Sequence, residues 1–293
     1  MKKEENSSTS ETSGALQRGF AVIRSLADAP EAGLRLKQIA QATGLAQPTI
    51  HRLLKSLVQE NVVEQTAGGK NYRLCVEFYA LAARAGSGYS SFRDICRPAL
   101  LRLSGVLNDT VFLMVRSGFD VLCFDRVEGP LPIRSYTSDI GGRIPLGLGQ
   151  AGTMILALLP PEEQEEIIRF NVPRLRHLGY VDEVFIRAQI ERARRQNHAV
   201  SQGQGPIEGM GGVSVAITDP NGYVVGAISI GTLSERLNDE RLPHVLHVLH
   251  QEADRISRQV NPFDPALKRP SHYLGPAHTG DVRPPGFSIN PPL

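Results

Sequence analysis

LRLKQIAQATGLAQPTIHRLLKSLVQENVVEQTAGGKNYRLC, residues 34–75, holds the change of period that decides the fold of this chain. Its first part repeats apolar residues at Leu36, Ile39 and Ala40, a helical stripe. The stripe breaks at Thr43, Gly44 and Leu45, where glycine permits a tight path and leucine can plug a core. Apolar residues resume at Ile50, Leu53, Leu54 and Leu57, in steps of 3, 1 and 3, so a second helix buries one face. Pro48 suits that helix's first turn, which tolerates a missing N–H. The opposite face is thereby fixed as Gln47, Thr49, His51, Arg52 and Lys55. From Val62 the period falls to 2: Val62, Val63 and Gln65 lead to a turn at Ala67, Gly68, Gly69 and Lys70, and residues 72–74 return. Helix, turn, helix and hairpin in about forty residues are the parts of a winged helix-turn-helix.

The chemistry of the free face fits nucleic acid. Gln47, Thr49 and His51 can hydrogen-bond base edges, while Arg52, Lys55 and, from the hairpin turn, Lys70 can meet phosphates. Over 293 residues, 32 Lys and Arg against 30 Asp and Glu leave a net charge of only +2. Residues 34–75 alone have six basic side chains against two acidic ones, an excess of +4. The same residues are also compatible with a small helical domain whose charges merely solvate its surface.

Outward from this module the chain divides. Residues 1–14 are polar and charged and are expected to be a disordered leader; a short helix is expected over 16–27. A DNA-binding domain over 14–82, a linker helix region over 83–98, a second domain over 99–260 and a disordered tail over 261–293, with eight prolines in 33 residues, complete the expected organisation. In the second domain TVFLMVR, DVLCFDRV and LPIRSY are strand candidates, and GTMILALLP and PEEQEEIIRF helices. VDEVFIRAQIERARRQN is a helix with Val184, Ile186, Ile190 and Ala193 inward, and LPHVLHVLHQEADRISRQV a last one. GVSVAITDPNGYVVGAISIG is a hairpin turning at Asp219, Pro220, Asn221 and Gly222. The class is α+β.

Several other chemistries are disfavoured. Three scattered cysteines without Cys-x-x-Cys predict neither disulfides nor a zinc site, and fit a reducing cytoplasm. No apolar run is long enough for a membrane span. GLGQAG, residues 147–152, matches Gly-x-Gly-x-x-Gly without the strand and acidic residue of a dinucleotide site, and GQGPIEGMGG lacks the Gly-Lys pair of a P-loop. His244, His247 and His250 recur every three residues, a spacing that reads as a surface face of the last helix rather than a metal site. No nucleophile, base or metal set suggests catalysis, so no cofactor and no metal are expected. A small-acid enzyme and a protein-interaction scaffold remain as other readings.

QRGFAVIRSL, the stretch over residues 34–65 and NYRLC together resemble the winged helix-turn-helix of the IclR family of bacterial transcriptional regulators. The resemblance continues through IGGRIPLGLGQAGTMILALLP and IEGMGGVSVAITDPNGYVVGAISIGTLSERL, so that it covers about residues 14–260. It implies a GAF-like α/β effector-binding domain, assembly as a homodimer or dimer of dimers, double-stranded operator DNA with an imperfect palindrome, and a repressor whose effector is a small organic or aromatic acid. Residues 47–59 match the family's recognition helix, with Ala46 and Pro48 departing from its usual cap. The effector pocket is then expected from Gly141, Arg143, Leu146, Ala151, Ser214 and Ser229, with Arg143 available to pair with an acid.

Overall fold

The computed structural model describes residues 5–261, except 67, 86, 131–139 and 203–208. It divides into two compact units, Met1–Gly88 and Tyr89–Leu293. The first holds α1 (Glu5–Ala27), β1 (Leu34–Arg35), α2 (Leu36–Thr43), α3 (Gln47–Gln59), β2 (Val63–Gln65), β3 (Asn71–Leu74) and α4 (Val76–Ala85). Val22, Leu26, Ile39, Ile50, Leu54 and Val63 form its core. Each such buried aliphatic side chain contributes roughly 1.5–3 kcal/mol. The three strands are antiparallel in the order β1-β3-β2. Gly33 is required where the chain enters β1: at φ +73° a Cβ there would stand 2.5 Å from the Tyr72 carbonyl oxygen. Gly44, at φ 68°, turns α2 into α3 and donates its N–H to Ala40 O.

Helix α1 begins at Glu5 rather than near Leu16, so residues 5–14 are not the disordered leader expected of their composition. Once Val22 and Leu26 anchor the helix, each further residue adds a hydrogen bond without a new nucleation cost.

The second unit is reached through α5 (Ser87–Leu107), followed by β4 (Thr110–Ser117), β5 (Asp120–Val127), β6 (Arg143–Pro145), α6 (Gly149–Leu158), α7 (Pro161–Leu175), α8 (Glu183–Gln196), β7 (Ala199–Gln202), β8 (Met210–Thr218), β9 (Val224–Leu233) and α9 (Leu242–Ser257). Its six strands are antiparallel throughout, in the order β6-β5-β4-β9-β8-β7. Strand alternation sends Val111, Leu113, Val213, Val215, Ile228 and Ile230 to one face, against α5 and α9. Phe112, Met114, Val121, Cys123 and Ala227 go to the other, against α6, α7 and α8.

The hairpin of β8 and β9 turns as expected: Asp219 Oδ1 accepts from the backbone N–H groups of Asn221 and Tyr223, each at 2.9 Å, and Gly222 adopts φ 81°. Val184 is a correction. It is 75% exposed, while Ile186, Ile190 and Ala193 pack inward, because Asp182 caps α8 through Phe185 N and leaves Val184 on the outer side of the first turn. LPIRSY and most of the tail over 261–293 lie outside the described residues. The edge strand β7 had no counterpart among the expected elements.

One irregularity bears on the site. Leu113 pairs with Asp125 but Met114 pairs with Cys123, so Phe124 is an extra residue in β5, a β-bulge. Beyond it the alternation is reset: Asp125 shares Leu113's face, under α5, and Arg126 shares the face of Phe112, under α6.

Candidate functional site

The N-terminal unit presents α3 as the residues dictate. Ile50 and Leu54 are buried, Leu53 and Leu57 half-buried, and Gln47, His51, Arg52 and Lys55 exposed, with Thr49 half-buried beside them. Gln47, His51 and Lys55 stand four apart and so form one line along the helix. The N-cap, Ala46, supplies no side-chain oxygen, and Pro48 occupies the first turn, so the chain enters the helix without a polar cap. Lys70 is exposed at the tip of the β2–β3 hairpin. Among the described residues, Arg52, Lys55 and Lys70 make no ion pair, whereas Arg73 is held by Glu64 at 2.6 Å. The hairpin thus cancels one of its own positive charges and leaves the helix charges available.

In the second unit the register builds a cross-strand row on the face covered by α6. Arg126 of β5 lies opposite Phe112 of β4, Phe112 opposite Ser229 of β9, Ser229 opposite Ser214 of β8, and Ser214 opposite Ala199 of β7. The next row is made of small residues: Thr110, Gly231, Gly212 and Ser201. Helix α6 packs over β8 and β9, and its first turn brings Gln150 onto Gly212. A Cβ at Gly212 would stand 2.7 Å from the Ile230 carbonyl oxygen and 3.2 Å from Gln150 Cδ and Oε1, so the glycine is required by the neighbouring strand and also lies against that carboxamide. The first-turn N–H groups of α6 have no intrahelical acceptor, which places donors beside Gln150.

Of the residues expected at the pocket, Ser229 and Ala151 lie where the row meets α6, and both are nearly covered. Ser214 is fully enclosed; its Oγ donates to Ile228 O at 3.0 Å, a packing role. Ser229 Oγ donates to Val213 O at 3.2 Å, leaving its lone pairs as acceptors. Leu146 is a core residue whose carbonyl accepts from Asn171 Nδ2 at 2.9 Å, and that amide also donates to Phe119 O at 2.7 Å. Asn171, itself fully buried, therefore anchors the segment that leads into α6. Gly141 is exposed at φ 92°.

Arg143 does not join this group. Strand β6 pairs Ile144 with Val121 and Arg143 with Leu122; Ile144 packs toward α6, so Arg143, exposed, points to the other face of the sheet. The sequence reading missed Phe112, Arg126, Gln150 and Asn171. Arg126 was hidden by the bulge, since plain alternation along DVLCFDRV pairs it with the wrong neighbours.

Burial moves three titratable groups in this unit, raising Cys96 and Tyr223 and lowering His250. Enclosure pushes the Cys96 thiol up to about 12, with the nearby Asp125 carboxylate adding to the effect, so the thiol stays protonated. Partial burial lowers His250 on α9, aided by His198 and opposed by Asp254. Among the described residues no group of three or more His, Cys, Asp or Glu could hold a metal ion, and no helix is long and apolar enough to cross a membrane.

A helical module with an exposed polar and basic helix, joined to a separate mixed α/β domain, fits the class of two-domain DNA-binding regulators. Residues 15–67 match the IclR helix-turn-helix domain, and residues 90–258 match the bacterial transcriptional regulator IclR C-terminal domain. The chain belongs to the IclR family of bacterial transcriptional regulators. It is 28% identical over 251 residues to the "probable transcriptional regulator SauR" of Cupriavidus necator, covering 84% of this chain and 96% of that one. It is 28% identical over 247 residues to the transcriptional repressor AllR of Salmonella typhi, covering 83% and 88%. Among solved structures, an IclR homologue from Microbacterium hydrocarbonoxydans complexed with 4-hydroxybenzoate shares the fold, with a TM-score of 0.70, 24% identity and coverage of 84% of this chain and all (100%) of that one.

Proposed function

We propose that the protein is an operator-binding repressor controlled by a small organic or aromatic acid. The observation that carries this reading is α3, which exposes Gln47, His51, Arg52 and Lys55 on a helix whose Ile50 and Leu54 are locked into the core. In this reading residues 14–82 are the DNA-binding domain, with α3 in the major groove. Gln47, Thr49 and His51 read base edges; Arg52 and Lys55 hold phosphates, and Lys70 follows the backbone from the wing formed by β2 and β3. A homodimer, alone or paired as a dimer of dimers, sets two such helices about 34–36 Å apart on an imperfect palindrome.

The second domain, 99–260, is assigned as a GAF-like effector domain. Support comes from its antiparallel sheet with helices on both faces and from the row at Ser229 beneath Ala151. Gly141 and Leu146 belong to the segment that borders it. The Microbacterium relative's bound 4-hydroxybenzoate supports an acid as effector. Selection of bound genomic DNA followed by shift assays across salt tests the reading. Enrichment of one palindromic sequence, weaker binding as salt rises, and release by an acid handled by the adjacent genes are expected. Failure to enrich any sequence refutes it.

A further inference from the structure

The β2–β3 hairpin of the first unit is tied together by side chains as well as by its ladder. Gln65, the last residue of β2, uses both N–H bonds of its carboxamide: Nε2 donates to the Gly69 carbonyl at 3.0 Å and to the Tyr72 hydroxyl at 2.9 Å. The two acceptors differ in kind. Tyr72 packs against the core that holds Ile39, Ile50 and Leu54, so its hydroxyl is a fixed point. Gly69 lies in the turn, at φ 67°, and its carbonyl belongs to the peptide that carries the Lys70 nitrogen. One carboxamide thus bridges the core to the peptide leading into Lys70.

The far side of Lys70 is held too. Asn71 Nδ2 donates to Ala32 O at 2.8 Å, which ties the next residue to the segment before β1. Between these two grips the Lys70 side chain is exposed, and among the described residues it has no carboxylate partner, whereas Arg73 is paired with Glu64. The order imposed here is worth little to folding, because Gln65 is exposed and water can replace its hydrogen bonds. Its value to binding is greater. Gly68 and Gly69 precede Lys70, and glycine has the most backbone freedom to lose, so a turn frozen only on contact with a ligand would lower affinity by the cost of ordering it.

We propose that Gln65 is a positioning residue for DNA binding: its carboxamide holds the Gly69–Lys70 peptide and so presents the Lys70 ammonium to a backbone phosphate in advance of the duplex. The proposal rests on the reading above of the hairpin as a wing that follows the DNA backbone, and adds the residue that orders it.

The test uses the full chain, a mixed-sequence DNA duplex and fluorescence anisotropy across salt; a phosphate contact is independent of sequence, so the duplex need not contain the operator. Lys70→Ala weakens binding and lowers the slope of log affinity against log salt by about 0.9. Gln65→Met, which keeps the length of the side chain and removes no charge, weakens binding about three- to tenfold, the worth of one or two ordinary hydrogen bonds. Tyr72→Phe, which spares the bond to Gly69, loses less. The deciding measurement is the double variant: once Lys70 is replaced, Gln65→Met makes no further difference, since it acts only through that lysine. Unchanged circular-dichroism melts show that the variants are folded; should Gln65→Met melt earlier, Tyr72→Phe carries the same comparison with Lys70→Ala. No loss in Gln65→Met, or a loss that persists undiminished beside Lys70→Ala, overturns the proposal and leaves the wing contact in place. A Lys70→Ala protein with the parent's affinity and slope overturns the proposal together with the wing contact, and a parent that binds no duplex overturns the DNA-binding reading itself.

Discussion

Replacing Asp125 by Asn isolates a fully buried charged contact in the second unit. Its side chain is fully buried, with Arg97 Nη1 at 2.7 Å, Arg93 Nε at 3.1 Å and its neighbour's backbone N–H, that of Arg126, at 2.8 Å. Breaking a buried pair by removing one partner costs about 3–5 kcal/mol, the upper end applying where the surviving charge stays buried. Here the survivors are Arg93 and Arg97, 47% and 42% exposed, which regain water, and Asn retains an oxygen for Arg126 N. The expected loss is therefore about 3 kcal/mol, the lower end of that range. Cys96 supplies the assay. It lies on α5, has no exposed surface, and its thiol can be labelled only when this part of the unit opens. Because each tenfold change is 1.36 kcal/mol, native-state labelling of Cys96, resolved by peptide mass spectrometry, should accelerate by about a hundredfold. Acceleration of less than about tenfold would refute the assignment of Asp125 as a clamped charge and make it an ordinary solvated pair.

Arg52→Ala should weaken operator binding and lower the slope of log affinity against log salt by about 0.9, the loss of one phosphate contact, with thermal unfolding of the second unit unchanged; an unchanged slope removes Arg52 from the backbone contacts. Leu54→Ala, in the fully enclosed centre of the N-terminal core, should cost about 2–5 kcal/mol in denaturant unfolding of that unit. His250 is held below the ordinary histidine value of 6.5, so the unfolded chain binds its proton more readily. That contribution to stability is complete above 6.5 and is lost as pH falls through the folded value, and His250→Asn should flatten the melting temperature over this acid range.

The DNA-binding module was readable because its signals are local. Helical period, a Gly44 break and a switch to strand alternation all lie within residues 34–75, and the buried positions Ile39, Ile50 and Leu54 are those the period selects. The Asp-Pro-Asn-Gly hairpin was equally local, since its turn chemistry is contained in four residues. What escaped depends on pairing. The four residues of β7 alternate too briefly to announce a strand, and become one by adding to the edge of β8. Arg143 has the right charge and the right neighbours in sequence, but the register of β6 decides which face it occupies. Ser214 and Ser229 are cross-strand partners, yet one is sealed and the other borders α6, a distinction that only helix packing makes.

The bulge at Phe124 has the largest consequence. By adding one residue to β5 it sends two successive charged side chains through opposite faces of the sheet, Asp125 to α5 and Arg126 to α6. The two faces are then joined through a single peptide: Arg97 of α5 donates to the Arg126 carbonyl at 3.0 Å as well as to Asp125, while the Arg126 side chain rests over Phe112. A ligand controls a protein only through unequal affinity for two arrangements, so some element must respond to ligand on one side and change its hold on the other. Residues 124–126 contact both faces of the sheet within three residues. The helix they hold, α5, begins at Ser87, where the chain passes from the first unit into the second.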